Sequence, residues 1–303
     1  MNEKRRERLE VLADGEIQFD VPMERYTTFR AGGKVAVLSF VRNLPQLQEL
    51  MLYLKDEGIP HLIIGKGSNL LVKDAGFEGV MIGLKGDFLR IEKKDHEKNL
   101  LLAGGGAAVH DLLRWCTTEG LSGLEFLAGV PGTIGGSVTM NAGAWGMDIG
   151  SVIREIRLVT ADGQLTRKDR SELDFGYRHL AIPSGSAVVT AGFKLKEEAP
   201  ETISSAISGY MKQRRESQPL EFPSAGSVFK NPPHDYAGRL IEAAGLKGAR
   251  VGGAMISEKH ANFIVNTGGA KAADILALME LAREKVTRQS GIELEAEITV
   301  VGM

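Results

Sequence analysis

Apolar positions along the chain follow two different periods, and the changes of period mark its elements. In "LPQLQELMLYL" (44–54), Leu47, Leu50, Met51 and Leu54 recur at helical spacing, Asn43 stands where a cap belongs and Pro45 falls in the first turn. "VAVLSFV" (35–41) and "HLIIG" (61–65) are short apolar runs and predict strands. Residues 3–13 predict a short helix, 80–84, 88–92 and 100–103 short strands, and 109–118 a helix. After a glycine-rich stretch over 124–150 come "IREIRLVT" (153–160), the hairpin signal "ADGQ" (161–164) and the strand "AVVTAGFKL" (187–195). The remainder reads helix 202–216, a loop, helix 235–244, strand 262–266, helix 272–289 and strand 294–301. Helices and strands do not alternate steadily, so the pattern predicts an α+β fold and not a doubly wound sheet. No repeat of 20–50 residues is visible.

A chain of 303 residues is long for one core, and the change of composition at "EEAPETIS" (197–204) marks a boundary. The expected lobes are 1–65, 66–196 and 197–303. A formal net charge of −2 offers nucleic acid or an anionic membrane no strong footprint. The single cysteine, Cys116, cannot form a disulfide within the chain, which suits a reducing compartment. The N-terminus has no signal-peptide core, and no run of 18 apolar residues occurs. A cytoplasmic monomer is the expectation.

Glycine changes the picture. Its 37 residues are about 12% of the chain against a usual ~7%, and they cluster at 65–67, 104–106, 129–136 and 143–150. Neither "GKGSNL" nor "GGGAAV" completes G-x-G-x-x-G, since Leu70 and Val109 occupy the third glycine's place, and no G-x-x-x-x-G-K-[ST] exists. Two small-residue loops remain, "GKGSNLLV" (65–72) and "GVPGTIGGSVTMNAGAWG" (129–146). Consecutive backbone N–H groups in such loops make anion-binding concavities, and Ser68, Asn69, Thr133 and Ser137 add neutral donors. Two such loops would suit the two phosphates of a dinucleotide. Neither H-x-x-x-H nor C-x-x-C occurs, so no metal site is expected.

These loops, with "YTTFRAGGKV" (26–35), "DFGYRHL" (174–180), "SAGSVFKNP" (224–232) and "LEAEITVVG" (294–302), resemble the UDP-N-acetylenolpyruvoylglucosamine reductase family. That family lies within the vanillyl-alcohol-oxidase-like FAD-binding superfamily, and the resemblance covers nearly the whole chain in order. It implies two FAD-binding lobes and a C-terminal substrate lobe, non-covalent FAD and NADPH as co-substrate. The implied reaction reduces UDP-N-acetylglucosamine enolpyruvate, a step of peptidoglycan precursor synthesis. The implied FAD contacts are Gly65, Lys66, Gly67, Ser68, Asn69 and Leu70 from the first loop. From the second they are Gly129, Pro131, Gly132, Thr133, Gly135, Gly136, Ser137, Asn141, Ala142 and Gly143.

Hydride added to an enol's terminal carbon leaves charge on the next carbon and its carboxylate, so the site needs a cation there and a proton donor. By resemblance, Ser227 protonates the carbon, Arg178 holds the carboxylate, and Glu297 assists the same charge with a raised pKa when substrate is bound. Tyr177, Arg215, Lys230 and Asn231 are the expected substrate contacts, and Lys230 is the first candidate for the cation that assists Ser227. From the residues alone, Ser227 is equally a turn serine, since Phe229 breaks the G-x-S-x-G elbow. Arg178 is equally a surface partner of Asp174. Period-2 alternation puts Glu295 and Glu297 on the same face, and only the family's E-x-E-[IV] ending selects Glu297. The chain resembles the shorter type of the family, without the insertion that carries a tyrosine over the substrate. Two alternatives stand beside this reading: a flavin oxidoreductase of the same superfamily with another substrate, or a non-catalytic nucleotide-binding module.

Overall fold

The computed structural model describes residues 2–14, 16–94, 97 and 99–303. In chain order the first part forms α1 (Glu3–Leu12), β1 (Ile17–Pro22), β2 (Lys34–Val41), α2 (Leu44–Asp56), β3 (His61–Ile64), β4 (Leu70–Val72) and β5 (Phe77–Leu84). Then follow β6 (Ile91–Lys93), β7 (Leu100–Gly104), α3 (Val109–Glu119), β8 (Leu121–Ser122), α4 (Ile134–Thr139), β9 (Gly143–Ala144) and β10 (Met147–Asp148). The middle continues with β11 (Ile153–Val159), β12 (Leu165–Asp169), β13 (Phe175–Gly176), β14 (His179–Leu180), β15 (Ala187–Lys194) and β16 (Lys196–Glu197). The last part is α5 (Pro200–Ser217), α6 (Ala237–Ala243), β17 (Arg250–Val251), β18 (Ala254–Ile256), β19 (Ile264–Asn266), α7 (Ala272–Ser290) and β20 (Thr299–Val301).

Helix α2 starts as its sequence dictates. The Asn43 side chain accepts from the Gln46 N–H, Pro45 sits in the first turn, and Leu47, Leu50, Met51 and Leu54 are all fully buried. Each such side chain contributes about 2 kcal/mol. The strand expected at 88–92 is instead a 3-10 turn (Gly86–Leu89) followed by β6. The strand expected over 294–301 shrinks to β20, preceded by an isolated bridge at Ala296. Alternation there is real, but hydrogen-bonding partners are present only at separate points.

Contacts divide the chain into two units. Unit 1 comprises 1–19, 37–65 and 79–212; unit 2 comprises 20–36, 66–78 and 213–303. This differs from three consecutive lobes, because two early segments group with the C-terminal part. Unit 1 holds a five-stranded antiparallel sheet in the order β12-β11-β15-β7-β6, with α4 lying against β15. Its core gathers Leu101, Leu112, Phe126, Ile156 and Phe193. A four-stranded sheet runs β1-β2-β5-β3, with β3 and β5 parallel. Unit 2 packs α6 and α7 with the sheet β17-β18-β19 around Phe29, Phe229, Leu240, Ile256 and Leu278. Here β20 pairs in parallel with β4, so the chain's end is tied to an early loop. Among the described residues no helix is long and apolar enough to cross a membrane.

Candidate active site

In unit 2, the segment bearing Ser227 is held on both sides by backbone and side-chain bonds. Ser227 forms an antiparallel bridge with Phe263, and Phe229 one with Ala296. The Glu297 N–H donates to the Val228 carbonyl at 2.9 Å, and the Lys230 N–H to the Glu295 carbonyl at 2.8 Å. Ser227 and Glu297 therefore stand on adjacent, directly bonded segments. On the other side the buried Asn262 acts as a clamp. Its Oδ1 accepts from Phe229 N–H at 3.0 Å, its Nδ2 donates to Phe229 O at 2.8 Å, and its own carbonyl accepts from Val228 N–H at 2.9 Å. Nothing in "NFIVN" singles out Asn262 in the sequence, since an asparagine opening a strand is ordinary.

The first glycine loop joins the same framework. Asn69 Nδ2 donates to Glu297 O at 3.1 Å, and Asn69 O accepts from Thr299 N–H at 2.9 Å, just before β4 pairs with β20 from Leu70 onward. Gly67 has φ +62°, and a Cβ there would lie 2.1 Å from Tyr26 O, so only glycine fits. Its carbonyl accepts from Thr28 N–H at 3.1 Å, which joins "YTTF" to "GKGS". Ser68 is half-buried and Lys66 exposed.

The other expected contacts of unit 2 have partners of their own. Lys230 Nζ is paired with the exposed Glu295 carboxylate. Asn231 Oδ1 accepts from Ala237 N–H at 3.1 Å, at the start of α6. The Arg215 carbonyl accepts from Lys259 Nζ, while the residue itself is exposed in the last turn of α5.

Unit 1 carries the second glycine loop and Arg178. Thr133 caps α4, and a Cβ on Gly65 would meet Thr133 Oγ1 at 2.5 Å, so this glycine permits a close approach. Val109 N–H donates to Gly132 O, Ile134 N–H to Ala107 O and Gly135 N–H to Gly105 O, which lays 129–136 along 105–109. Ser137 is buried, and its carbonyl accepts from Ala142 N–H at 2.8 Å. Gly136 and Pro131 are exposed, Gly143 is half-buried, and Gly129 has φ +74°. Tyr177 and Arg178 form the turn between β13 and β14, with the guanidinium carbon 5.1 Å from the Tyr177 ring centroid. Arg178 has φ +55°, a left-handed conformation that a long side chain rarely adopts. Tyr210 on α5 stacks on Trp145, ring centroids 5.5 Å apart.

These loops suit FAD by their donors. Among the described residues, no hydrogen bond uses the backbone N–H of Gly67, Gly132 or Thr133. Gly67 is also buried, where an amide without an acceptor is costly. Each loop by itself thus offers neutral amide donors of the kind that phosphate oxygens accept from. No cluster of metal-ligating side chains occurs among the described residues.

Two family models match the chain: an FAD binding domain over residues 35–168, and the C-terminal domain of UDP-N-acetylenolpyruvoylglucosamine reductase over 218–301. The chain is 42% identical over 303 residues, all of both chains, to UDP-N-acetylenolpyruvoylglucosamine reductase of Geotalea uraniireducens. It belongs to the UDP-N-acetylenolpyruvoylglucosamine reductase family. The relative from Geobacter sulfurreducens is 43% identical over 302 residues, covering 100% of this chain and 99% of its own. Among solved structures, the reductase of that name from Thermus caldophilus matches with TM-score 0.81 and 37% identity, over 93% of this chain and 98% of its own. Membership of the reductase family covers both units.

Proposed function

We propose that the protein reduces UDP-N-acetylglucosamine enolpyruvate to UDP-N-acetylmuramate at the expense of NADPH, in peptidoglycan precursor synthesis. The observation that carries this reading is the direct bonding of the Ser227 segment to the Glu297 segment, in a chain that aligns end to end with reductases of that name. FAD, when bound, supplies a two-electron relay through which hydride from NADPH reaches the terminal enol carbon.

The chain's own residues deal with the charge and the proton. Arg178 is assigned to the substrate carboxylate, where a planar guanidinium offers two parallel N–H donors and opposes the developing negative charge. Ser227 is assigned the proton delivered to the second carbon, which completes addition of hydride and proton across the double bond. A hydroxyl is a weak acid, so its loss of a proton needs a neighbouring donor or cation. With Lys230 paired to Glu295, that part is assigned to Glu297, on the segment bonded to the Ser227 segment, acting in its protonated form as a hydrogen-bond donor. Residues 65–70 and the 129–143 loop are assigned to FAD, apart from the Asn141 side chain, which bonds within the protein, and Tyr177, Arg215, Lys230 and Asn231 to the UDP-linked substrate. A monomer working in the cytoplasm, where NADPH and UDP-linked precursors are found, completes the reading.

The test is direct. Purified protein should be yellow and should oxidise NADPH in proportion to added UDP-N-acetylglucosamine enolpyruvate. Flavin-loaded protein that oxidises NADPH at the same rate without that substrate would overturn the proposal. A colourless protein that binds the UDP sugar without turnover would favour the non-catalytic alternative.

A further inference from the structure

Asn141 lies in the flavin loop, yet its side chain is occupied by the protein itself. The residue is 3% exposed with φ +41°. Its Oδ1 accepts from Gly150 N–H at 2.9 Å, and its Nδ2 donates to Gly176 O at 3.0 Å and to Asp148 Oδ2 at 3.2 Å. An asparagine amide has two N–H groups and one acceptor oxygen, and all three groups are engaged here.

The bond to Gly176 is the informative one. Gly176 ends β13, immediately before the turn formed by Tyr177 and Arg178. A hairpin with two paired residues per strand is marginal by itself. Its base is held by the Ala181 N–H bond to Asp174 O at 3.0 Å and by buried Leu180. Its tip holds Arg178 at φ +55°, a conformation of the kind that costs about 1–3 kcal/mol and persists only where its surroundings enforce it. The Asn141 bond reaches the hairpin at its tip end. The same Nδ2 engages Asp148 at the end of β10, so one side chain ties the turn that bears Arg178 to the 143–148 hairpin.

We infer that Asn141 is a positioning residue for Arg178, fixing the Tyr177–Arg178 turn so that the guanidinium is presented to the substrate carboxylate. This rests on the role given to Arg178 above. Asn141→Asp and Asn141→Gly both tolerate a left-handed backbone, and both remove the donor to Gly176. Both variants should keep FAD and reduce it with NADPH within about threefold of the wild-type rate. Reoxidation by UDP-N-acetylglucosamine enolpyruvate should slow by about thirtyfold or more, and combination with Arg178→Ala should add little to the loss from Arg178→Ala alone. If Arg178→Ala abolishes reoxidation while both Asn141 variants reoxidise normally, the positioning role is wrong. If Arg178→Ala itself reoxidises normally, the role of Arg178 is wrong and the inference falls with it. If the Asn141 variants melt like wild type but lose FAD and both half-reactions together, Asn141 is a flavin contact and the inference is overturned. Should Asn141→Asp fail to fold, Asn141→Gly decides by the same readings.

Discussion

At Gly67 a single hydrogen atom separates a working loop from a clash. Any side chain there must accept φ +62° and a contact of 2.1 Å with the Tyr26 carbonyl oxygen. Gly67→Ala should therefore destabilise the protein by about 2 kcal/mol or more and lower bound FAD, read as melting temperature and as flavin-to-protein absorbance. The roles proposed for Ser227, Arg178 and Glu297 rest on motifs and not on periodicity. Alternation left Glu295 and Glu297 equivalent, whereas the structure separates them. Glu295 is largely exposed and paired with Lys230, while Glu297 is half-buried and its backbone joins the Ser227 segment to Asn69. Lys230 and Asn231 were read from proximity to Ser227 along the chain. Proximity cannot show that one side chain turns to Glu295 and the other to the start of α6.

The element that matters most is the strand-like Ser227–Lys230 segment, which has no length of its own to stabilise it. It depends on Asn262, whose amide replaces a neighbouring strand for Phe229. Asn262→Ala would leave a buried N–H and C=O unpaired, a loss of about 2–4 kcal/mol. Urea melts should show this, and Asn262→Asp, which sets a buried carboxylate oxygen against the Phe229 carbonyl, should lose at least as much. Next to it, His260 Nδ1 accepts from Asn262 N–H at 3.2 Å, and burial is the main cause holding its pKa below the ordinary 6.5, with Lys247 adding to the effect and Glu242 opposing it. The folded state therefore prefers neutral His260. Below about pH 6.5 the unfolded chain takes up the proton first, so stability should fall as the pH drops, levelling beneath the folded pKa. Comparing unfolding at pH 8 and pH 5 should show a smaller decline in His260→Asn than in wild type. Periodicity found the long helices, α2 and α7, because several turns repeat the signal. It could not resolve six-residue α4 or the two-residue strands β9, β10, β13 and β14, which are shorter than any period can establish.

Across the whole molecule, composition marks where the chain changes character but not where a segment returns. That is why residues 20–36 and 66–78, which group with the C-terminal unit, carry no signal of it in their own composition. Pairing of β20 with β4 and of Thr28 with Gly67 is the physical content of that return. Cys116 offers a global probe: burial pushes its thiol up to about 12, so it stays protonated and shielded at pH 8. An aromatic disulfide reagent should react with it only as fast as the protein opens, and immediate reaction in the native state would contradict the packing of α3. The central claim is tested most directly by following the two half-reactions of Ser227→Ala separately. Reduction of the flavin by NADPH should persist near the wild-type rate, while reoxidation by UDP-N-acetylglucosamine enolpyruvate should fall by about 10²–10⁴. Equal loss of both half-reactions, or loss of neither, would contradict Ser227 as the acid toward carbon.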